Sequence, residues 1–265
     1  MRPERAARLA IALLAAVTAC VTLPAAASAR QAVKLNAALI PERLGQDTTI
    51  SFGFRVAAPR GRVPPPLTSM QVSYPFALAV QLSELGIATC PAETLETFGP
   101  IGCPTNSVMG HGTAITEIQI GPSIIHETAH ITIMRTIDRA GHVALLIYAD
   151  GQSPVFAQIV FPGVLLSAPA PFGGRLEMNI PIVPSLPGAA DVAVVQLHAT
   201  LGPAGLTYHE HVNGHTINYQ PRGIPLPSSC PHGGFKFAAT FAFQNGSHSH
   251  ATATVRCPRA GRVSF

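Results

Sequence analysis

The chain has 265 residues, 47% of them hydrophobic and only 11% charged, with a formal net charge of +4. An average soluble domain is about a quarter charged, so this chain must keep itself in water with Ser, Thr, Asn, Gln and His rather than with ion pairs. Arg2, Arg5, Arg8 and Glu4 belong to an N-terminal leader and the rest carries +2, with basic groupings only at Arg55, Arg60 and Arg62 and at Arg256, Arg259 and Arg262, which excludes a nucleic-acid groove binder.

The leader comes first in chain order. Three arginines precede an apolar run from Leu9 to Ala19, and Ala27-Ser28-Ala29 forms a small-x-small cleavage site. This is the build of a secretory signal peptide over residues 1–29, too short and wrongly flanked for a permanent span. Val17-Thr18-Ala19-Cys20 also has the form of a lipoprotein box, but the Ala-Ser-Ala site lies at the usual distance from the apolar run, so simple secretion is the preferred reading over lipidation at Cys20. The expected location is outside the cell or in its envelope.

The remainder, 30–265, reads as strand after strand. Val33 to Ala37 opens it, and Thr49 to Val56 alternates at period two. Arg60-Gly61-Arg62-Val63-Pro64-Pro65-Pro66 is a stiff crossing that cannot donate to a ladder, after which Met70 to Tyr74 resumes the pattern. Pro91 to Phe98 predicts the single helix, with proline at its start, Glu93 and Glu96 in its first turns and Gly99 as terminator. Further strands are expected at 108–120, 124–134, 142–149, 154–161, 175–183, 191–200, 206–212, 215–220, 235–243 and 248–256. The apolar stretch from Val143 to Leu166 is broken by Asp150-Gly151-Gln152-Ser153-Pro154 and reads as two buried strands, not a membrane span. About a dozen strands separated by Gly, Pro, Asn and Asp turns predict an all-β fold, an immunoglobulin-like antiparallel β-sandwich with one short helix in a disulfide loop. It forms one domain, or two lobes at about 30–110 and 111–265.

Two Asn-Gly pairs set hairpin registers. Around Asn213-Gly214 the apolar set is Leu206, Tyr208 and Val212 on one strand and Ile217 and Tyr219 on the next. Even positions facing odd ones require a two-residue type I′ turn. Around Asn245-Gly246, Phe235, Phe237, Phe241 and Phe243 must share a face with Ala251, Ala253 and Val255. Odd facing odd requires an odd loop, three residues with Gly246 in a bulge.

Past the leader the cysteines are Cys90, Cys103, Cys230 and Cys257, an even set in an exported chain with three possible connectivities. The two local pairs are preferred. Joining Cys90 to Cys103 closes a short loop worth about 3 kcal/mol on the chain-entropy model. The last hairpin carries Cys257 back toward Cys230, and neither pair has the spacing of a zinc site. Cys90-Pro91 followed by Cys103-Pro104-Thr105-Asn106-Ser107-Val108-Met109-Gly110 resembles a CP…CPxxSxxG element. Cys230-Pro231-His232-Gly233-Gly234-Phe235 with Cys257-Pro258 is similar to the C-terminal hallmark of the same group. The group is a family of exported bacterial β-proteins with no assigned function; the resemblance spans most of the exported chain, implies a shared fold and supplies no active site.

His126-Glu127-Thr128-Ala129-His130 is a literal HExxH, the zincin motif when helical. Here Ile125, Ala129, Ile131 and Ile133 share one parity and His126, Thr128, His130 and Thr132 the other, which predicts a strand. Residues four apart on a strand are about 13 Å apart, too far to share one zinc. His209 and His211 flank Glu210, and His248 and His250 flank Ser249; a His-x-His strand pair can chelate a metal, but the registers assign both pairs to a polar, solvated face. Gly151-Gln152-Ser153-Pro154-Val155 lacks the closing glycine of a nucleophile elbow. No Trp is present to form a sugar platform. The expected function is therefore non-catalytic, with no cofactor: binding or structural work at the cell surface, a cell-wall or surface polymer being the expected partner. The alternatives are a metal-binding protein or metal-dependent hydrolase using the His-x-His pairs, and a polysaccharide-binding module. Mass mapping of non-reduced peptides should join Cys90 to Cys103 and Cys230 to Cys257; a cross-link between the early and late pairs would refute the local pairing.

Overall fold

In the computed structural model the described residues are 31–58, 62–78, 85–152, 156–185 and 187–258. The leader with Cys20, and Arg60, Ser153, Pro154, Val155, Arg259 and Arg262, lie outside them. Three strands come first: β1 (Ala32–Ile40), β2 (Asp47–Ala57) and β3 (Leu67–Pro75). The helix α1 (Ala92–Phe98) follows, then the long hairpin of β4 (Val108–Ile120) and β5 (Ser123–Arg139). Next are β6 (His142–Gly151), β7 (Ala157–Ser167), β8 (Phe172–Asn179) and β9 (Ala193–Leu201). A small hairpin of β10 (Tyr208–Val212) and β11 (His215–Tyr219) precedes the two-residue β12 (Ile224–Pro225). The hairpin of β13 (Phe235–Phe243) and β14 (His248–Val255) ends the fold.

The all-β expectation holds, with antiparallel ladders throughout. Hydrogen bonds link eleven strands in one path, β1-β2-β9-β4-β5-β6-β7-β8-β3-β13-β14, with β12 attached to β2. The path curls until its ends meet: β1 packs beside β14, and the Ser249 hydroxyl donates to the Gln31 carbonyl across the seam. The sheet is thus nearly barrel-like. Strands from early in the chain are interleaved with late ones, β2 lying beside β9 and β3 between β8 and β13.

Period-two patterning explains the closure. Leu35 and Leu39 of β1, Phe54 of β2, Met70 of β3, Ile131 of β5 and Phe241 of β13 all point to the inside and are buried. A sheet with one apolar face can hide that face by wrapping round on itself. One side of the interior is packed solid by Phe235, Phe237, Phe241 and Phe243 of β13. Phe241 reaches across to Phe54, ring centroids 5.0 Å apart in an edge-to-face contact, although β2 and β13 are not neighbours in the sheet.

A second, smaller core lies outside the barrel. β6 is apolar on both faces, and its outward Leu146 and Tyr148, with Met134 of β5, pack under Leu95 of α1 and the Cys90–Cys103 disulfide. Pro91 caps α1, and Gly99, at φ 65°, ends it by donating to the Leu95 carbonyl. The other disulfide joins Cys230 to Cys257 with Cα atoms 5.9 Å apart. Gly110, in the CPxxSxxG element, sits where a Cβ would lie 1.9 Å from the Thr200 carbonyl oxygen, so β4 approaches β9 this closely only with glycine there.

Both hairpin registers follow the parity reading. Val212 faces His215 across Asn213 (φ 51°) and Gly214 (φ 82°), a two-residue turn. Phe235 faces Val255, Ala239 faces Ala251, and residues 244–246 form a three-residue loop with Gly246 at φ 78°. β5 and β7 run past their expected ends at 134 and 161, to Arg139 and Ser167, and two further elements differ from expectation. Val212 and Ile217, assigned to an apolar face, are exposed, because the β10–β11 hairpin projects from the barrel beyond Tyr208. The strand expected at 175–183 stops at Asn179: Pro181 cannot donate to a ladder, and residues 180–185 leave the sheet.

Phe241 is fully buried and His250 lies on the opposite, exposed face. Phe241→Ala should cost about 3–5 kcal/mol in a denaturant melt, and His250→Ala about 0.5 kcal/mol or less. Equal losses would refute the register.

Candidate functional site

The interior is not filled everywhere. Across from the β13 wall, whose Phe237 lines it, the interior holds a partly open cavity of about 530 Å³, within the range of small-molecule sites. The cause can be traced through the register. Ala114 of β4 faces Ala129 of β5, Ala129 faces Gly151 of β6, and Gly151 faces Ala157 of β7. Four adjoining strands therefore present a band of small residues inward, where the opposite wall presents Phe. Ile131, Ile147, Ile159, Phe161 and Met178 complete an almost wholly apolar lining.

Residues 180–185 and 187–192 contribute to this wall. They follow β8 and precede β9, strands with β4, β5, β6 and β7 between them in the sheet, and lie at one end of the barrel. The Val192 amide donates to the Val183 carbonyl at 2.9 Å, closing the segment into a loop, and the Gln244 side chain donates to Asp191 at 2.8 Å. Ile180, Ile182, Val183 and Val192 line the cavity. The apolar run that looked like a strand end in sequence forms part of the enclosing wall instead.

At that same end the lining turns polar. Thr116 of β4 stands directly opposite Glu127 of β5, as the pair next along from Ala114 and Ala129. Both line the cavity, at 8% and 6% exposure. The β4–β9 ladder shifts register between Ile115 and Thr116, the kind of irregularity that re-aims a side chain. The Thr116 hydroxyl oxygen is buried and has no hydrogen-bond partner. An unpaired buried hydroxyl costs about 1–3 kcal/mol. Toward the other end Tyr74 also lines the cavity, and burial pushes its phenol above the usual range.

The motif residues are split by the strand. His126 and His130 of the HExxH stretch face solvent, His126 lying 3.4 Å from Glu117 on the neighbouring strand, while Glu127 between them points inward. No helix brings the two histidines together. The inward carboxylate is the residue that motif analysis missed. Its signal was present, since Glu127 has the same parity as Ile125, Ala129 and Ile131.

The two His-x-His pairs lie at opposite ends of the barrel. On the projecting hairpin, His209 Nδ1 is 2.5 Å from Asn218 Oδ1 and His211 Nδ1 is 2.8 Å from Thr216 Oγ1, so each ring is engaged with the cross-strand partner that the register assigned. Tyr208 anchors the hairpin: its buried hydroxyl donates to the Val108 carbonyl and accepts from the Gly86 amide, and its pKa is raised chiefly by burial. His248 and His250 stand exposed on the outer face of β14, opposite Ala242 and Thr240. Among the described residues no three His, Cys, Asp or Glu side chains group as a metal site.

Because His126 and Glu127 project to opposite faces of one strand, neither Glu127→Gln nor His126→Ala should change zinc content, measured by metal analysis of the purified protein. Loss of a stoichiometric zinc in either variant would overturn the strand geometry. No family model matches the chain, and neither a curated protein nor a solved structure matches it.

Proposed function

We propose that the chain is an exported, non-catalytic binding protein that carries a small apolar molecule inside its barrel. The observation that carries this reading is the cavity of about 530 Å³, walled by a band of Ala and Gly on four adjoining strands. Random loss of packing would be costly, because each absent methylene forfeits about 0.8 kcal/mol of burial. A contiguous small-residue band facing a phenylalanine wall is what a ligand-holding barrel requires. A largely apolar cavity takes up apolar guests.

Export is supported by the leader pattern at the N-terminus and by two disulfides, which persist in oxidising compartments. Among the described residues no helix is long and apolar enough to cross a membrane. The work is then done outside the cell or in its envelope, where an apolar molecule needs a carrier through water.

The test is titration of the disulfide-intact protein with an environment-sensitive apolar fluorophore such as an arylaminonaphthalene. Saturable uptake at one site, with blue-shifted emission, is expected. Ala129→Leu adds three carbons to the band and should weaken uptake by about 2 kcal/mol, some tens-fold. Unsaturable uptake, or full affinity in a folded Ala129→Leu variant, would refute the carrier reading.

A further inference from the structure

One end of the cavity carries the buried cross-strand pair Thr116 and Glu127, with the Thr116 hydroxyl unpartnered, and that pair specifies its occupant more closely. We infer that the barrel takes a single-chain amphiphile whose head donates hydrogen bonds, an alcohol or an ammonium, seated against Glu127 and Thr116 with its tail running up the interior. The inference rests on the carrier reading above and adds the chemistry of the ligand's head.

Three observations place the head. Glu127 and Thr116 are cross-strand partners, so their Cβ atoms lie about 5 Å apart and both can reach one small group. The Thr116 hydroxyl is more than nine-tenths buried, lines the cavity and lacks a partner, which a bound head would supply. Glu127 offers two oxygens with about four acceptor positions, so it can receive a ligand donor in addition to any contact within the protein. A fatty carboxylate would set a second carboxyl against Glu127, a like-charge contact that disfavours it.

The tail's direction follows from the strands. The lining continues from Glu127 past Ala129, Ile131 and Ile133 to Leu145, which is level with Arg135 on β5. Eight residues of strand are about 26 Å, which suits a long extended chain better than a compact ring. At the far end the lining reaches His142 and Ser167, beyond the apolar band.

Displacement of the bound fluorophore by four compounds of equal chain length tests this: an alkyl alcohol, an alkylammonium, an alkyl carboxylate and the plain alkane. The alcohol and ammonium should compete at least about tenfold better than the carboxylate and the alkane, the scale of one hydrogen bond to a charged group. Glu127→Gln keeps the shape and should relieve the exclusion of the carboxylate and weaken the ammonium, and Thr116→Val should weaken the alcohol, each read as a ratio to the alkane measured in the same variant. Preference for the ammonium alone or the alcohol alone identifies which donor head is used. Equal competition by all four, or a head preference that survives in both variants, overturns the head assignment and leaves the carrier reading standing. Absence of saturable fluorophore uptake overturns both. Circular dichroism of each variant checks that the fold is intact, and where either variant misfolds the wild-type ranking of the four compounds decides alone.

Discussion

The structure depends on one constraint: a sheet whose inner face is apolar from edge to edge must leave no edge in water. A flat sheet of eleven strands would expose that face and two unpaired rims. Curling brings β1 against β14, so that Leu35, Leu39 and Ala251 join one core with Phe54 and Phe241. The remaining features follow from the closure. The β13 phenylalanines are long enough to reach across and stiffen one side. The Ala and Gly band cannot reach across, and space remains on the other. Ile180, Ile182, Val183 and Val192 then line the end of the barrel where that space is open.

The outer core makes the small-residue wall possible. Strands β5 and β6 carry Ala129, Ala149 and Gly151 inward, positions that contribute little burial to the barrel. Their outward Met134, Leu146 and Tyr148 are instead buried under α1 and the Cys90–Cys103 disulfide. A wall with a weak inner contact is thus held from behind. This separates the stability of β5 and β6 from the filling of the cavity, which is what a binding site needs if it is to survive empty.

Much of the fold was readable in the sequence because period two and turn chemistry are local signals. The limits of β4 and β13 and both hairpin registers came from alternation and from Asn-Gly, and the helix in the disulfide loop from Pro91, the early Glu93 and Glu96, and Gly99. The order of strands was not readable, since β2 beside β9 and β3 beside β13 are decided by contacts between distant segments. The cavity was hidden for the same reason. Ala114, Ala129, Gly151 and Ala157 are unremarkable singly and form a band only once four strands are in register. Glu127 was half visible: parity put it among the isoleucines, but the familiar motif drew attention to the histidines beside it. Residues 180–183 read as the end of a strand because Ile180, Ile182 and Val183 do line the interior, from the barrel's end instead of from its wall.

The seam has a consequence for how the molecule comes into being. Ten antiparallel junctions leave the first and last strands of the path pointing the same way, so β1 and β14 meet as parallel neighbours and no hairpin can join them. Gln31 and Ser249, which touch across that seam, are 218 residues apart in the chain. In a chain that emerges from a translocation pore N-terminus first, β1 has one side unmatched until almost everything else has passed through. The barrel therefore cannot shut part-way, and its interior stays open to whatever surrounds the emerging chain until the final hairpin arrives. On the carrier reading proposed above, a hydrophobic guest at the exit site would meet the pocket before the last wall is in place, and loading would coincide with maturation instead of requiring the finished shell to reopen.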